Sequence, residues 1–493
     1  MKILLISANT ETINMPVLPL GLAFVNAALM NRGYDTRVIN LMDEENTEAV
    51  LPRTIGDFAP DVIGISIRNI DTQDIKNPVF MLGPVKSMVD RCRKLSRAPV
   101  VIGGAGYSIY PEAALAYTGA DMGIQGEGET AFPELLERLA AGRPVSDVPG
   151  LYLPDQGMVT DRKCIRNPDD IIFPLPGVHL PVSEALKQAN LWVPFQTRRG
   201  CPLNCSYCST GTIEGRIVRK FSITRAADAL AAWKAAGFNR FFFADNTFNL
   251  PPAYAGALCD EIISRNMGIE WRCILYPSAI REPLVAKMAR AGCREVSLGF
   301  ESGCDAILKQ FNKHFTAEDI RQTSALLRKY NIQQMGFLML GAPGETRETV
   351  KQSLDFMDDL NPDTIKITTG IRIYPHTRLA AIARAEGVIS PDDETFFFPD
   401  FTFETASKTG SSIPISLWAN NHQLLLLKKT KNGVFMTDTD QQDHKLILRG
   451  LKRPDYPRIK EIMDRVYAGM GGAWKPEEFS TLLEQFPEGQ ISH

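Results

Sequence analysis

The chain alternates short apolar segments with longer amphipathic ones, in two separate series along its length. In residues 1–145 the apolar runs are short enough to be buried strands, and the segments between them carry helical spacing. The expected strands are Lys2–Ser7, Thr36–Leu41, Val62–Ile67 and Pro99–Ile102, and the clearest helices are Leu20–Asn31 and Thr130–Ala140. Strands separated by crossover helices imply a doubly wound parallel sheet that is covered on both faces.

Ligands of such a sheet bind at the carboxyl ends of the strands, where the strand order reverses. The loops at Ser7–Pro19, Arg68–Pro78 and Gly103–Tyr110 are therefore the candidate ligand loops of this domain.

A second alternating series starts at Leu191 and contains about six strand–helix units, which predicts a full or partial β/α barrel. We expect a doubly wound domain at 1–145, a proline-rich connector at 146–190, the barrel at 191–390 and a C-terminal region at 391–493. That last region is expected to be mixed and mostly helical. Its aromatic patch, Phe396–Phe403, is expected either to cover the barrel mouth over a substrate or to dock the region on the barrel.

Charge and hydropathy exclude several classes of partner. The formal net charge of −3 gives no electrostatic reason to expect nucleic acid or an anionic membrane as the main partner. The sequence contains no run of about 20 apolar residues and no signal-peptide pattern at its start. These features predict a cytoplasmic protein without a membrane span.

Three of the nine cysteines, Cys201, Cys205 and Cys208, lie within eight residues of one another directly after the first expected barrel strand. A cytosolic cluster of thiols indicates metal binding or catalysis rather than disulfide formation. Iron–sulfur clusters take thiolate ligands, usually four, so three cysteines leave one iron open. A structural zinc site is the alternative, but it requires a fourth Cys or His, and none is close in the sequence.

The spacing CxxxCxxC, with Tyr207 before the third cysteine and Arg198-Arg199-Gly200 ahead of the first, resembles the signature of the radical S-adenosylmethionine (SAM) superfamily. The resemblance implies a [4Fe–4S] cluster held by the three cysteines, with SAM on the fourth iron. It also implies reductive cleavage of SAM to a 5′-deoxyadenosyl radical, with an electron donor such as flavodoxin or ferredoxin.

Two later strand ends resemble cofactor-binding elements of the same superfamily. Asp245, after Phe241–Phe243, is the expected acceptor for the SAM amino group; capping of the next turn is the alternative. Glu301 and Ser302, in a G-x-E-S-G element, are expected to contact SAM or to anchor the loop, and Gly303 is expected to permit close approach.

The first domain resembles the cobalamin-binding domain of B12-dependent radical SAM enzymes. The resembling segments are Leu18–Ala23, Pro60–Ser66, Gly103–Ala105 and Gly126–Glu129. Gly103 and Gly104 are expected to let the backbone approach a nucleotide tail or phosphate. The segment Gly126–Glu129 is expected to shape a turn and cap the helix at Thr130.

No histidine occurs before residue 179, so this domain supplies no imidazole to cobalt. Arg68 is placed to lie against the lower corrin face and leave it uncoordinated, because arginine does not readily deprotonate. Pairing of Arg68 with Asp71 or Asp74 is the alternative.

The two resemblances together imply a cobalamin-dependent C-methyltransferase that acts on an unactivated carbon of a small-molecule or peptide substrate. Cobalamin-assisted or cobalamin-free radical oxidation, cyclisation or rearrangement stays open as an alternative. An iron–sulfur or corrinoid-binding redox sensor is the non-enzymatic alternative.

Overall fold

The computed structural model describes residues 1–10, 17–44, 47–70, 81–188, 191–278, 280–340, 342–345, 347–369 and 373–385, together with three short strands at 426–430, 433–437 and 445–449. The aromatic patch Phe396–Phe403 lies outside the described residues, as do Asp71 and Asp74. The helices expected in the C-terminal region also fall outside them, and what is described there is strand.

A seven-stranded sheet forms the first part of the described chain. Its strands are β1 Lys2–Ser7, β2 Asp35–Asn40, β3 Val62–Ser66, β4 Val100–Gly103, β5 Met122–Ile124, β6 Leu151–Leu153 and β7 Gly157–Met158. The order is β2-β1-β3-β4-β5-β6-β7, with the first five strands parallel and the last two antiparallel. The strand order reverses between β1 and β3, which is the position where doubly wound sheets bind ligands.

Helices cover both faces of this sheet. They are α1 Leu20–Asn31, α2 Thr47–Phe58, α3 Leu82–Leu95, α4 Ala105–Ile109, α5 Pro111–Thr118 and α6 Gly128–Ala140. Alternation along β1 divides the core in two: Ile3 and Leu5 pack with α1 and α6, whereas Leu4 and Ile6 pack with α2, α3 and α5. The expected doubly wound fold is thus confirmed. The sheet also takes β6 and β7 from the segment predicted as connector.

Six parallel strands of a second sheet form a partial β/α barrel. The strands of this part are β8 Val193–Phe195, β9 Arg198–Arg199, β10 Arg219–Lys220, β11 Arg240–Phe243, β12 Glu270–Leu275, β13 Cys293–Glu301, β14 Gln333–Leu340, β15 Thr364–Thr369, β16 Leu426–Thr430, β17 Gly433–Thr437 and β18 Lys445–Arg449. The barrel sheet has the open order β8-β11-β12-β13-β14-β15, and β18 extends it antiparallel to β15. The sequence patterns did not predict β16, β17 or β18.

The helices of this second part are α7 Glu184–Gln188, α8 Thr210–Ile213, α9 Ile223–Ala235, α10 Pro252–Ser264, α11 Glu282–Arg290, α12 Asp305–Gln310, α13 Ala317–Lys329, α14 Arg347–Leu360 and α15 Arg378–Ala385. Helices α9 to α14 alternate with the barrel strands as expected for βα units, whereas α7 precedes β8 and α8 lies between β9 and β10. Local sequence sets several of their starts. Helix α13 begins after a capping box in which Thr316 and Asp319 exchange hydrogen bonds, and α10 carries proline in its first turn.

Alternation along the barrel strands separates a packed outer layer from the interior. Phe243, Trp271 and Val296 are fully buried beneath the helices, and the Phe243 and Trp271 rings meet edge-on with centroids 5.0 Å apart. Their strand neighbours, such as Phe242 and Arg272, face the interior and line a cavity. Within the described ranges, no helix is both long and apolar enough to cross a bilayer.

We predict that Gly303→Ala destabilises the barrel, because the added methyl would lie 2.3 Å from Cβ of Phe356 on α14. Forced overpacking of this kind costs about 1–3 kcal/mol. The matched control is Gly256→Ala on α10, where an added methyl meets nothing within 4 Å and alanine is the better helix former. Thermal melting of both variants checks the prediction: equal midpoints would contradict it.

Candidate functional site

The three cysteines lie in a long loop whose two ends are joined by a short antiparallel pair of strands, β9 and β10. Arg199 of β9 pairs with Arg219 of β10, so residues 200–218 leave the barrel and return at one point. Gly200 has φ of +81°, and an added Cβ would lie 2.2 Å from the Ile217 carbonyl oxygen, so this position requires glycine. Cys201 then donates its backbone N–H to the Gly215 carbonyl at 3.1 Å.

Contacts from the far side of the barrel hold the middle of this cysteine loop, residues 201–208. Ser206 donates its backbone N–H to Phe311 and accepts one from Leu379. The amide of Asn312 donates to the Asn204 carbonyl at 2.7 Å. The loop conformation therefore depends on segments more than 100 residues away in sequence.

The three thiols of this loop are the candidate metal ligands. Within the part of the chain that the structure describes, no three His, Cys, Asp or Glu side chains converge on one metal position. Burial raises the pKa of Cys201 to about 11, and a bound metal ion lowers the pKa of a thiol that ligates it. Cys205 and Cys208 are partly exposed and open to a ligand.

A lysine that the sequence analysis missed lies beside this loop. Lys313 is 4% exposed and donates from Nζ to the Tyr207 hydroxyl at 3.1 Å. Glu301 accepts from the same hydroxyl at 3.0 Å and lies 3.5 Å from Nζ of Lys313. Burial by itself lowers the pKa of Lys313, but its neighbours, Glu301 first among them, together raise it by more, so the lysine stays charged at neutral pH. The expected Glu301 thus lies next to the cysteine loop, at a positive φ of 69°.

The structure corrects the expectation for Asp245. This carboxylate is fully buried and accepts hydrogen bonds from the backbone N–H groups of Thr197 and Arg198 at 2.7 and 3.0 Å, and from the Thr197 hydroxyl at 2.5 Å. Nε of Arg198 lies 3.2 Å from Oδ2 of the same carboxylate. Asp245 therefore fastens β8 and β9 to the end of β11, and it is not exposed to receive a SAM amino group.

The contacts of Ser302 fit the expected alternative, anchoring of the loop. Its hydroxyl is fully buried, lies 2.8 Å from the Ser353 hydroxyl and accepts the backbone N–H of Cys304 at 3.1 Å. The close approach predicted at Gly303 is that of helix α14, whose Phe356 occupies the space. The strand end after Glu301 is thus a packing element.

The glycine loop after β4 packs against the residues that follow β3, next to the switch point between β1 and β3. Gly104 has φ of +103°, and an added Cβ would lie 2.5 Å from the Ile67 carbonyl oxygen. Ser108 fixes the loop, since its hydroxyl donates to the Gly104 carbonyl at 2.8 Å and accepts the N–H of Gly126 at 2.9 Å. Gly103, Gly104 and Arg68 all line the cavity that opens here.

This cavity, of about 840 Å³, runs from the first sheet into the barrel interior. Its walls combine the ends of β1, β3 and β4 with inward-facing barrel residues, among them Pro194, Gln196, Phe242, Ala244, Arg272, Glu295, Ser297 and Met335. Nδ2 of Asn9, on the wall, is buried and has no hydrogen-bond partner in the described part of the chain. A large cavity with a glycine cradle and an unused donor fits a bulky, amide-rich ligand such as cobalamin. The three cysteines are not part of the cavity wall.

Two glutamates before α6 join the first domain to the strand that leads into the cysteine loop. Glu129 pairs with Nη2 of Arg199 at 2.5 Å, and Glu127 pairs with Nη1 of Arg219 at 2.6 Å and with Nη1 of Arg199 at 3.5 Å. All four side chains are at most 7% exposed. Burial lowers the pKa of Arg199, but Glu129 and Glu127 raise it well above its usual value, so Arg199 stays charged.

The segment Gly126–Glu129 was expected to cap α6. Glu127 makes no side-chain cap hydrogen bond, and both glutamates instead bind arginines near the cysteine loop. The sequence does contain a hint of this pairing. Two acidic residues lie in a glycine turn and two arginines precede the cysteines, so the two segments are complementary in charge. No sequence pattern says, however, that these two segments meet.

Two family models match this chain. The model of the radical SAM superfamily matches residues 196–357, and that of the B12 binding domain matches residues 6–136. The sequence is 28% identical over 402 residues to an uncharacterised methyltransferase, PH0819, of Pyrococcus horikoshii. The aligned region covers 79% of this chain and 84% of that protein. It is 25% identical over 442 residues to the tryptophan 2-C-methyltransferase of Streptomyces laurentii, covering 76% and 73% of the two chains.

A bacteriochlorophyllide d C-12(1)-methyltransferase of Chlorobaculum tepidum is 25% identical over 345 residues, which is 69% of this chain and 68% of that protein. Among solved structures, the radical SAM methyltransferase TsrM of Kitasatospora setae, with cobalamin and a [4Fe-4S] cluster bound, superposes with a TM-score of 0.71 at 24% identity, covering 79% of each chain. This last similarity supports the fold.

We predict that Arg199→Met destabilises the protein, because it leaves Glu129 buried without its main partner. Breaking a buried pair costs about 3–5 kcal/mol, and about 3 kcal/mol corresponds to roughly 6–12 °C for a domain of 150–250 residues. Thermal melting measures this change. The control is Lys351→Met, which removes an exposed pair with Asp355 and should leave the midpoint unchanged. Equal melting of Arg199→Met and the wild type would contradict the role of the network.

Proposed function

We propose that this chain, which belongs to the radical SAM enzymes that carry a B12-binding domain, is a cobalamin-dependent C-methyltransferase acting on an unactivated carbon of a small molecule. The cofactors of such an enzyme are a [4Fe–4S] cluster, SAM and cobalamin. The observation that carries the proposal is the cavity that joins the glycine loop of the first sheet to the barrel interior. Arg199, on its wall, lies two residues before Cys201.

The proposal gives Cys201, Cys205 and Cys208 the role of cluster ligands. Three thiolates leave one iron free, and the partial exposure of Cys205 and Cys208 keeps this side of the loop open. When bound, the cluster with SAM supplies a 5′-deoxyadenosyl radical and cobalamin supplies a transferable methyl group. The remaining work of the chain is to orient these groups and to exclude water.

Gly103 and Gly104 are proposed to bring backbone N–H groups against the cobalamin tail, with Nδ2 of Asn9 as a further donor. We retain the proposal that Arg68, an exposed side chain on the cavity wall, lies against the lower corrin face. Asp71 and Asp74, the alternative partners of Arg68, lie outside the described residues.

The barrel interior is the proposed substrate site. Phe242, Arg272 and Glu295 form one row across β11, β12 and β13, and Ser297 lies one step further along β13. The row combines an aromatic face with a loosely coupled charge pair, whose Arg272 Nη1 and Glu295 Oε1 are 3.9 Å apart. Named relatives act on substrates as different as tryptophan and a bacteriochlorophyllide, so the family leaves the substrate open. We further propose a flavodoxin or ferredoxin as electron donor, a cytoplasmic location, and no role for nucleic acid.

The test uses anaerobically reconstituted protein with cobalamin, a chemical reductant and SAM that carries a labelled methyl group, incubated with fractionated small-molecule extract. We expect a labelled product together with one 5′-deoxyadenosine and one S-adenosylhomocysteine for each methyl transferred. Release of 5′-deoxyadenosine alone would favour oxidation, cyclisation or rearrangement. Absence of SAM cleavage would leave the redox-sensor alternative and overturn the proposal.

In the same assay, Cys205→Ala should abolish both the iron–sulfur absorbance and 5′-deoxyadenosine release, because the cluster then lacks one of three protein ligands. The control is Cys92→Ala, which removes a buried thiol from α3 in the first domain. Iron and sulfide analysis, with zinc measured in parallel, checks the metal. Zinc in the wild-type protein, or full cluster content in Cys205→Ala, would contradict the assignment.

Arg68→Ala should change the visible spectrum of bound cobalamin, because the side chain that would shield one face of the cofactor from water is then missing. The measurement is a spectrum of the purified complex, with cobalamin content quantified separately. Gly104→Ala provides the contrasting variant: its added methyl disturbs the loop itself and should reduce cobalamin retention. Unchanged spectra and turnover in Arg68→Ala would remove the axial-face proposal.

A further inference from the structure

A buried cation lies beneath the cysteine loop, and neither the family assignment nor the proposed mechanism uses it. The segment that carries Lys313 touches the loop twice: Asn312 donates to the Asn204 carbonyl, and Lys313 donates to the Tyr207 hydroxyl. The two contacts fall on either side of Cys205. The lysine side chain, 4% exposed, is also close to the rings of Tyr276 and Phe315, at 6.0 and 5.9 Å from their centroids.

The hydrogen-bond donors of this lysine are already in use. An ammonium group has three N–H donors. Nζ of Lys313 meets the Gly299 carbonyl at 3.0 Å, the Tyr207 hydroxyl at 3.1 Å and the Glu301 carboxylate at 3.5 Å. No donor is left for an incoming carboxylate, so the side chain acts on a bound group through its charge.

The charge of Lys313 is held at the cysteine loop by geometry. Nζ is hydrogen-bonded to the hydroxyl of Tyr207, which directly precedes Cys208, and the neighbouring Asn312 is hydrogen-bonded to Asn204, which directly precedes Cys205. Low exposure makes the charge effective, because little water screens it.

We propose that Lys313 is a fixed positive charge that raises the midpoint potential of the iron–sulfur cluster in the cysteine loop, with Glu301 as its partial counterweight. The inference rests on the proposed function, since it requires the cluster. Reduction adds one electron to a thiolate-ligated cluster, and a nearby cation stabilises the more negative form. Net charge and hydrogen bonding around the sulfurs are established controls of cluster potential.

The test is an anaerobic redox titration of the reconstituted protein, followed by electron paramagnetic resonance without SAM. We compare Lys313→Met, Lys313→Arg, Glu301→Gln and Tyr207→Phe. At a fixed potential, Lys313→Met should lower the ratio of reduced to oxidised cluster at least tenfold. This corresponds to a fall in midpoint potential of about 59 mV for a one-electron couple. Glu301→Gln should shift the ratio in the opposite direction. Lys313→Arg and Tyr207→Phe keep the charge and should stay close to the wild type.

Opposite shifts in Lys313→Met and Glu301→Gln support the inference, since a purely structural role would move both variants in the same way. An unchanged midpoint in Lys313→Met, or shifts of equal sign, overturns it. If Lys313→Met retains no cluster, Glu301→Gln decides: a rise supports the inference, and no change or a fall overturns it. If the wild-type protein assembles no cluster, the proposed function is overturned as well. If the wild type cleaves SAM normally but the midpoint potential is the same in every variant, this inference alone is overturned.

Discussion

The buried ion pair between Arg199 and Glu129 is the interaction on which the arrangement of the two domains depends. Two charges removed from water are tolerated only when they are paired and hydrogen-bonded, so the pair fixes a relative position as well as contributing energy. Here it aligns the start of α6 with β9. Arg219, paired with Glu127, repeats the constraint on β10, the strand that closes the long loop that holds the cysteines. The carboxyl edge of the first sheet is thereby held against the barrel.

The cysteine loop takes its shape from this base and from the opposite side of the barrel. Gly200 permits the turn away from β9, and the Ser206 backbone is hydrogen-bonded to Phe311 and Leu379. A loop of small and polar residues has little core of its own, so distant segments must supply its order. The charged pair of Lys313 and Glu301 lies beneath it. The sequence motif provides the sulfurs, whereas the barrel provides their positions and their electrostatic surroundings.

Local pattern was sufficient for much of the fold. The strand Lys2–Ser7 and the helix Leu20–Asn31 were predicted with the bounds observed, because apolar runs and helical periodicity are encoded in neighbouring residues. The cysteine loop and the cavity glycines were found in the same way. Asp245 and Ser302 were assigned to SAM because they follow strands, yet burial and partners from other elements decide their role. Lys313 and Glu129 were missed as site residues because their partners lie 106 and 70 residues away.

One short segment connects both proposed cofactor sites. Between Thr197 and Cys201, successive side chains contact different parts of the structure. Arg198 faces Asp245 in the barrel core, Arg199 reaches the first domain, and Cys201 enters the loop. Both arginines are held by buried charge pairs, so the contact with the first domain lies within two residues of Cys201. A rigid link of this kind suits an enzyme whose cofactors must act on the same carbon, because small errors in their separation cost rate steeply.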